Sequence, residues 1–374
     1  MLHSVSLVLL FQFLLLPWWS PVRSSSCVLL DAGWQGFVES FIEPDGRVVR
    51  PRFRNDTVSE GQAYAMLHAV AMNDREVFDR VFSWTERHLS RRLAEGDNLL
   101  AWHLIDGKVA DVASASDADL DYALALFFAY RQWGAEGYRV QAEAVMQDIL
   151  EYETRRIGGR LYLLPWVAGE FPCEGFVMQN PSYYSPAHFR IFYQHSGDRR
   201  WLELLDTSYY LVETLQQTFC FDGGHGLVPD WCGVDAEGHL HTVDGWSSDF
   251  SWDALRVPLR FGMDYAVSGD PRALGVLKGF GDFFDSELAR HKKLASGYCC
   301  YGTALTAEEN PLFYAAAYVA LDASGHASAR VALERLRGMM KRGNGKVYYI
   351  NSKEYYPNAL CWIAEYWRLV RGIR

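Results

Sequence analysis

Helix-start signals recur along this chain at intervals long enough for two helices, and this recurrence restricts the folds open to it. Beyond residue 55, apolar residues stand three or four positions apart in most segments, which is typical of amphipathic helices. Successive start signals are 46 to 69 residues apart, so each interval has room for one helical hairpin. The signals are Glu60, Asp117, Pro186, Asp253, Pro311 and Pro357.

The residues at these starts predict how the hairpins are arranged. Ser59 with Gln62 has the pattern of a capping box. Ser116 with Asp119 is a similar start signal. If alternate helices line an inner ring, all six starts open at one end of it. The sequence therefore predicts an all-α fold, a closed (α/α)6 barrel of six helical hairpins in a single domain. Beside its mouth we expect Tyr64, Asp119, Tyr183, Tyr184, Trp252, Arg256, Phe313, Tyr314, Tyr355 and Tyr356.

Three carboxylates, Glu60, Asp117 and Asp253, stand at helix starts in distant parts of the chain. Helices that run the same way in a ring would bring them to one cleft, where a proton donor and a proton acceptor could work together. Each also has a simpler interpretation. Glu60 and Asp117 could stabilise the positive end of a helix dipole, and Asp253 could pair with Arg256 three residues later. A general acid at Glu60 would need burial or a neighbouring carboxylate to raise its pKa.

The composition excludes some classes of partner. A net charge of -10 and a pI near 5.6 argue against nucleic acid, whose phosphates require a basic surface. They also disfavour electrostatic docking on an anionic membrane. Aromatic residues make up 15% of the chain, and Trp and Tyr supply the flat apolar surfaces on which sugar rings stack.

The N-terminus has the pattern of an export signal. An apolar run at residues 7–16 precedes a small-residue patch at Ser24, Ser25 and Ser26, which predicts a signal peptide over residues 1–26. The run is too short for a stable membrane span. We therefore expect a periplasmic or secreted protein whose barrel domain covers residues 27–374, and lipidation of Cys27 stays an alternative.

Seven cysteines leave at least one thiol unpaired, and one or two disulfides are expected. No CxxC or His/Cys cluster has the spacing of a zinc site, and no GxSxG, P-loop or dinucleotide motif follows a predicted strand. The sequence predicts neither a metal nor a cofactor.

Five short motifs follow one another along the chain: Ser59-Glu60-Gly61-Gln62-Ala63-Tyr64, Ala115-Ser116-Asp117-Ala118-Asp119, Asn180-Pro181-Ser182-Tyr183, Val228-Pro229-Asp230-Trp231 and Asp253-Ala254-Leu255-Arg256-Val257. Together they resemble glycoside hydrolase family 8, most closely the exported endoglucanases that accompany bacterial cellulose synthases. The resemblance runs roughly from Cys27 to the C-terminus. Tyr122 and Phe127 depart from the family pattern, where smaller aliphatic residues are usual.

The resemblance implies hydrolysis of a β-1,4-glucan with inversion at the anomeric carbon, in a six-hairpin barrel. By motif, Glu60 would be the general acid and Asp253 the base that activates water. Asp117 would lie beneath the distorted sugar, although it is the alternative candidate for the base. Substrate contacts are expected from Tyr64, Trp102, Asp119, Tyr183, Tyr184, Trp252, Arg256, Tyr314, Tyr355 and Tyr356.

Other functions stay open at this point. Members of the resembled family also cleave xylan or chitosan, and an acidic chain could favour cationic chitosan. A glycan-binding protein without turnover would keep the aromatic cleft, although all three carboxylates are intact here. A polysaccharide lyase on a similar barrel would call for a basic cleft. By analogy alone, a cellulose synthase or export complex is a candidate partner.

Overall fold

Thirteen α-helices account for most of the residues that the structure describes. The computed structural model describes residues 25–167, 175–218 and 225–371. The helices are α1 (Ser25–Phe41), α2 (Ser59–Ala71), α3 (Arg75–His88), α4 (Ser116–Trp133), α5 (Glu136–Tyr152), α6 (Pro186–Ser196), α7 (Arg200–Thr218), α8 (Arg256–Ser268), α9 (Pro271–His291), α10 (Pro311–Ala323), α11 (Ala329–Gly338), α12 (Tyr355–Leu360) and α13 (Trp362–Arg371).

These helices alternate along the chain between an inner ring and an outer layer. The inner ring consists of α2, α4, α6, α8, α10 and the broken helix α12–α13, and each member contacts the next around the ring. Contact between α12 and α2 closes it. The remaining six helices pack outside. The architecture is the (α/α)6 barrel that the sequence predicts.

Composition explains which helices lie inside. In α10 every residue except Asp322 is buried, and five alanines allow neighbours to approach it from several sides. The outer helix α3 instead has a single apolar stripe, with Val77, Phe78, Val81 and Trp84 buried at helical spacing. Helices with one apolar face cover the ring, and helices with apolar residues on most sides form it.

The two ends of the chain close the barrel together. Helix α1, which the sequence does not predict, packs beside α13 and completes the outer layer. Ser26 Oγ donates to Glu365 Oε2 at 2.8 Å, and Glu365 also pairs with Arg337 at 2.7 Å. Gly33 and Gly36 lower the helix propensity of α1, and Gly36 is needed where Tyr348 crosses it closely. The sixth hairpin therefore joins the first and last helices of the chain.

Neither the capping box predicted at Ser59 nor the similar start signal at Ser116 forms a side-chain cap. Ser59 is the first residue of α2, whose N-cap, Val58, makes no side-chain cap. Gln62 Oε1 instead accepts the backbone N–H of Val48 at 2.6 Å. In α4, Asp119 Oδ1 accepts from the backbone N–H of Leu100 at 2.9 Å. Gln62 and Asp119 bond to backbone groups of neighbouring loops and not to the first turn of their own helices, so they fix those loops to the helices.

Short antiparallel strands order the loops between the helices. Val58 pairs with His103, and this pairing sets the loop that precedes His103 against the start of α2, where the backbone N–H of Ser59 donates to Trp102 O at 2.9 Å. The sheets are β1–β2–β3 (Thr57–Val58, His103–Ile105, Lys108–Asp111), β4–β5 (Thr154–Ile157, Arg160–Leu163), β6–β7–β8 (Val177–Gln179, Cys232–Val234, Leu240–His241) and β9–β10 (Met340–Gly343, Lys346–Tyr349).

Some predictions concern residues at or beyond the described ranges. Residues 1–24, most of the predicted signal peptide, lie outside them, and the predicted cleavage point after Ser26 falls in the first turn of α1. Among the helices of the described ranges, none is both long and apolar enough to cross a bilayer. Cys300 is disulfide-bonded, which agrees with the expectation of one or two disulfides. Cys232 and Cys361 are buried thiols.

Gly262 tests the close packing of α8 on α10. A Cβ at this position would lie 2.3 Å from Val319 Cγ1, whereas a Cβ at Gly275, on the exposed side of α9, meets nothing within 4 Å. We expect Gly262→Ala to lower the free energy of unfolding by about 1–3 kcal/mol. Gly275→Ala should raise it by about 0.5–1 kcal/mol. Urea denaturation of both variants measures this, and equal effects would contradict close packing at Gly262.

Candidate active site

One buried guanidinium joins the three carboxylates that the sequence singles out. Arg256, the first residue of α8, is 2% exposed. Its Nη1 donates to Glu60 Oε2 at 2.9 Å and to Asp117 Oδ2 at 2.6 Å. Its Nη2 donates to Asp253 Oδ1 at 2.8 Å. Residues from three distant segments therefore converge at one end of the barrel, as predicted.

The three carboxylates are held differently by the backbone. Glu60 and Asp117 lie in the first turns of α2 and α4, as predicted. Asp253 lies in a turn three residues before α8 begins, whereas the sequence predicts a helix start at Asp253 itself. The backbone N–H groups of Asp253 and Ala254 donate to Asp230 Oδ1 at 3.0 and 2.8 Å. This side-chain acceptor stabilises a turn outside the helix.

The environment of Glu60 favours its protonated form. Burial raises the pKa of Glu60 to about 7, and the negative charges of Asp117 and Asp253 act in the same direction. The cations Arg256 and Arg50 oppose this rise. Its position at a helix N-terminus would lower the pKa, so burial and the neighbouring carboxylates outweigh the dipole.

Asp253 titrates lower than Glu60. Burial raises the pKa of Asp253 to about 6, with Arg256 opposing and Asp230 and Asp117 adding to the rise. Trp231 Nε1 donates to Asp253 Oδ2 at 3.1 Å, so both oxygens of this carboxylate have a donor. Near neutral pH the site can hold one protonated and one ionised carboxyl group, the combination that acid–base catalysis requires.

Further polar groups fix the guanidinium from its other sides. Ser182 Oγ accepts from Arg256 Nη2 at 2.8 Å, and Asn180 Oδ1 in turn accepts from Ser182 Oγ at 2.7 Å. The Tyr64 hydroxyl lies 3.3 Å from Arg256 Nη1. The ring of Tyr183 faces the guanidinium with 5.3 Å between its centroid and Cζ. Tyr64, Tyr183 and Arg256 are therefore together at the carboxylates, as predicted.

Four other predicted residues surround the carboxylates. Trp252 is 46% exposed, and its carbonyl accepts from the Tyr356 hydroxyl at 3.1 Å. Half-buried Trp102 stacks on His103 with ring centroids 4.4 Å apart. Tyr355 is buried beside Gly61, and its hydroxyl lies 3.0 Å from where a Cβ on that glycine would be. Part of the surface is exposed at Trp252, Tyr356 and Trp102. Tyr355 is instead buried and packs against α2.

Four residues that the sequence places at the mouth lie inside the protein. One is Phe313, whose fully buried ring packs edge-on against Trp252 at 5.7 Å. Asp119 is fully buried beneath Leu100. The hydroxyl of buried Tyr184 donates to Gln179 Oε1 at 2.5 Å. Buried Tyr314 accepts the backbone N–H of Leu294 at 3.0 Å and donates to Glu309. Each is close in sequence to a helix start, but the local backbone directs its side chain into the core. These side chains support the mouth and do not line it.

Residues beside Asp253 were missed. The indole rings of Trp231 and Trp246 are 4.7 Å apart, and Trp166 lies 5.9 Å from both. Tyr183 meets Trp231 edge-on at 5.8 Å. All four rings are half-buried. The only sequence signal was the segment Val228–Trp231, since the contacts depend on loops that fold together only in three dimensions.

Comparison with known proteins identifies the family. The model described as "Glycosyl hydrolases family 8" matches residues 8–296, which include Glu60, Asp117 and Asp253. The chain belongs to glycosyl hydrolase family 8. The match to the family therefore covers all three segments whose carboxylates bind Arg256.

Individual relatives support this membership. The chain is 30% identical over 308 residues to "Endoglucanase A" of Acetivibrio thermocellus, covering 78% of this chain and 60% of the relative. It is 35% identical over 261 residues to "Endoglucanase" of Pseudomonas fluorescens, covering 66% and 63%. The chain thus spans about 60–63% of the length of the curated relatives it matches.

A solved structure is similar across nearly the whole chain. The endo-beta-1,4-glucanase CMCax from Acetobacter xylinum is 26% identical with a TM-score of 0.75. The similarity covers 93% of this chain and 99% of that one. The barrel of this family 8 chain therefore has the same extent as that solved enzyme.

Removal of Arg256 should expose the repulsion among the carboxylates. Arg256→Gln leaves Glu60, Asp117 and Asp253 without their shared cation, so the pKa values of Glu60 and Asp253 rise further. Raised carboxyl pKa values destabilise the fold increasingly as pH rises through them. We expect a loss of about 3 kcal/mol in unfolding free energy at pH 7.5. Urea denaturation should show a smaller loss at pH 5, and an equal loss at both would contradict carboxylate repulsion as its cause.

Proposed function

We propose that this family 8 protein is an endo-β-1,4-glucanase that hydrolyses cellulose-like chains with inversion of anomeric configuration. The arrangement of Glu60 and Asp253 on one buried guanidinium, with the pKa of both raised, carries the proposal. The similarity to enzymes named endoglucanases supports the choice of glucan. An exposed Trp252 beside the carboxylates suits the stacking of a pyranose ring.

Glu60 acts as the general acid in this mechanism. With its pKa near 7 it carries a proton at mildly acidic pH, and it donates that proton to the glycosidic oxygen as the bond breaks. The positive charge that develops on the sugar ring is then stabilised by nearby carboxylates. Asp117, buried and held at 2.6 Å by Arg256, supplies such a charge beneath the ring.

Asp253 acts as the base. Its ionised form takes a proton from a water molecule as that water attacks the anomeric carbon from the opposite face of the sugar. Inversion requires room for this water, so the two carboxyl groups should be roughly 6.5–9.5 Å apart. Trp231 and Arg256 each donate to one Asp253 oxygen, which orients the carboxylate for the attack.

The family resemblance also supports a proposal for the cellular location of the protein and for its partner. The apolar run before Cys27 supports export, and we propose a periplasmic or secreted location. A role in editing glucan during cellulose synthesis, with a synthase or export complex as partner, rests on the resemblance to exported endoglucanases.

The pH dependence of hydrolysis tests the acid and base assignments. Activity requires ionised Asp253, with a pKa of about 6, and protonated Glu60, with a pKa of about 7. We expect a bell-shaped profile of kcat/KM whose optimum lies between these values. Initial rates on carboxymethylcellulose from pH 4 to 9 measure it. A rate that keeps rising above pH 8 would contradict Glu60 as the acid.

Substitution of the carboxylates tests the chemistry directly. Glu60→Gln should lower kcat on unactivated glucan by about 100- to 10,000-fold, because no proton reaches the leaving oxygen. Asp253→Asn should be at least as damaging as Asp117→Asn. The matched control is Glu76→Gln, also in the first turn of a helix but exposed on outer helix α3, which should keep wild-type activity.

Parallel assays on carboxymethylcellulose, xylan and chitosan identify the substrate. Proton NMR of the first product should show the α-anomer before mutarotation. Dominant cleavage of xylan or chitosan would change the substrate and keep the mechanism. Binding of glycan without turnover would favour a sugar-binding protein, and a nearly active Asp253→Asn would move the base to Asp117.

A further inference from the structure

Asp230 is a buried carboxylate, and four of the five hydrogen bonds that it accepts come from the turn that carries Asp253. Its Oδ1 accepts the backbone N–H groups of Ser251, Asp253 and Ala254 at 3.1, 3.0 and 2.8 Å. Its Oδ2 accepts from Ser247 Oγ at 2.9 Å and from Ser251 Oγ. One carboxylate therefore receives five hydrogen bonds, three of them from backbone N–H groups of a single turn.

The segment that carries Asp230 is itself anchored. The backbone N–H of Asp230 donates to Asp249 O at 2.7 Å, and that of Trp231 donates to Ser247 O at 3.0 Å. The adjacent Trp231 side chain donates to Asp253 Oδ2. Asp230 thus holds the backbone of the Asp253 turn, and Trp231 holds its side chain.

The negative charge of Asp230 is not needed for this backbone geometry. A neutral asparagine could present the same oxygen to the three N–H groups. Within the described ranges, no Lys, Arg or His side chain forms an ion pair with Asp230, so a buried charge is maintained without a direct cation. Five hydrogen bonds offset the cost of burying this charge, and one of the donors is the backbone N–H of the ionisable residue Asp253.

We propose that Asp230 is a positioning residue for the reaction, which fixes the turn of Asp253 and supplies negative charge beside that carboxylate. The proposal rests on the proposed role of Asp253 as the base. Asp230 does not touch substrate, and it acts on the chemistry only through Asp253.

Several charged and titratable groups face Asp253. Burial raises its pKa, Arg256 lowers it, Asp230 and Asp117 raise it, and the nearby side-chain amide of Asn180 lowers it. The phenols of Tyr183 and Tyr356 are within electrostatic reach. Loss of the Asp230 charge alone should therefore lower the pKa of Asp253 and make it a weaker base.

The decisive experiment compares Asp230→Asn with wild type in a full pH profile on carboxymethylcellulose. We expect the acidic limb of kcat/KM to move to lower pH by roughly 0.5–1 unit, because a like charge has been removed. Asp230→Ala, which also removes the five hydrogen bonds, should lower kcat by about 100-fold with KM changed much less, since the base is misplaced.

Asp264→Asn is the matched control. Asp264 is also fully buried and lies on α8, where it accepts from Arg190 Nε at 2.7 Å and from Tyr209. Its substitution should lower stability while the acidic limb stays at its wild-type position. An acidic limb in Asp230→Asn that does not move, or that moves as in Asp264→Asn, would overturn the proposal.

Ser247→Ala provides a second test at an exposed position that does not endanger folding. This variant removes one hydroxyl dipole that offsets the Asp230 charge, so the acidic limb should stay or move to higher pH. A shift to lower pH would count against Asp230. Failure of the proposed function is distinguishable, because it would appear as an inactive wild type or a fully active Asp253→Asn.

Discussion

The site depends on the burial of one cation among three carboxylates. Arg256 is almost inaccessible, and it contacts Glu60, Asp117 and Asp253 from three separate chain segments. Without it the carboxylates would repel one another in a poorly hydrated cleft, and burial of an unpaired charge is strongly unfavourable. The helix starts at α2 and α4 and the turn before α8 must therefore meet at a common point. The positions of the three carboxylates at the mouth therefore follow from the need of each to pair with Arg256.

A second buried ion pair lies one helical turn deeper on the same two helices. Arg260 of α8 forms two hydrogen bonds of 3.0 Å with Asp121 of α4, and His188 of α6 contacts Asp121 at 2.7 Å. Burial acts to raise the pKa of Asp121, but Arg260 and His188 hold it below its usual range. Because Arg260 follows Arg256 by four residues, this deeper pair fixes the register of α8 against α4.

The ring of helices and its three carboxylates could be predicted because both follow from short-range patterns. Spacing of helix starts indicated the barrel, and the position of Glu60 and Asp117 in first turns placed them at its mouth. Asp230 and Trp231 act through a turn closed by strands and loops, and no local periodicity indicates such contacts. Gln62 was assigned to a cap for the same reason, since its actual partner, Val48, comes from another segment.

In the proposed mechanism, the division of roles between Glu60 and Asp253 comes from their surroundings and not from their chemical type. Glu60 and Asp253 share one guanidinium, yet the pKa is about 7 for Glu60 and about 6 for Asp253. Burial raises the pKa of both groups, and each faces two other carboxylates, so neighbouring negative charge does not distinguish them. Asp253 instead accepts from Trp231 as well as Arg256, and hydrogen bonds to an ionised carboxylate favour that form. In the proposed mechanism, the acid and the base thus differ in their hydrogen-bond donors before any substrate binds.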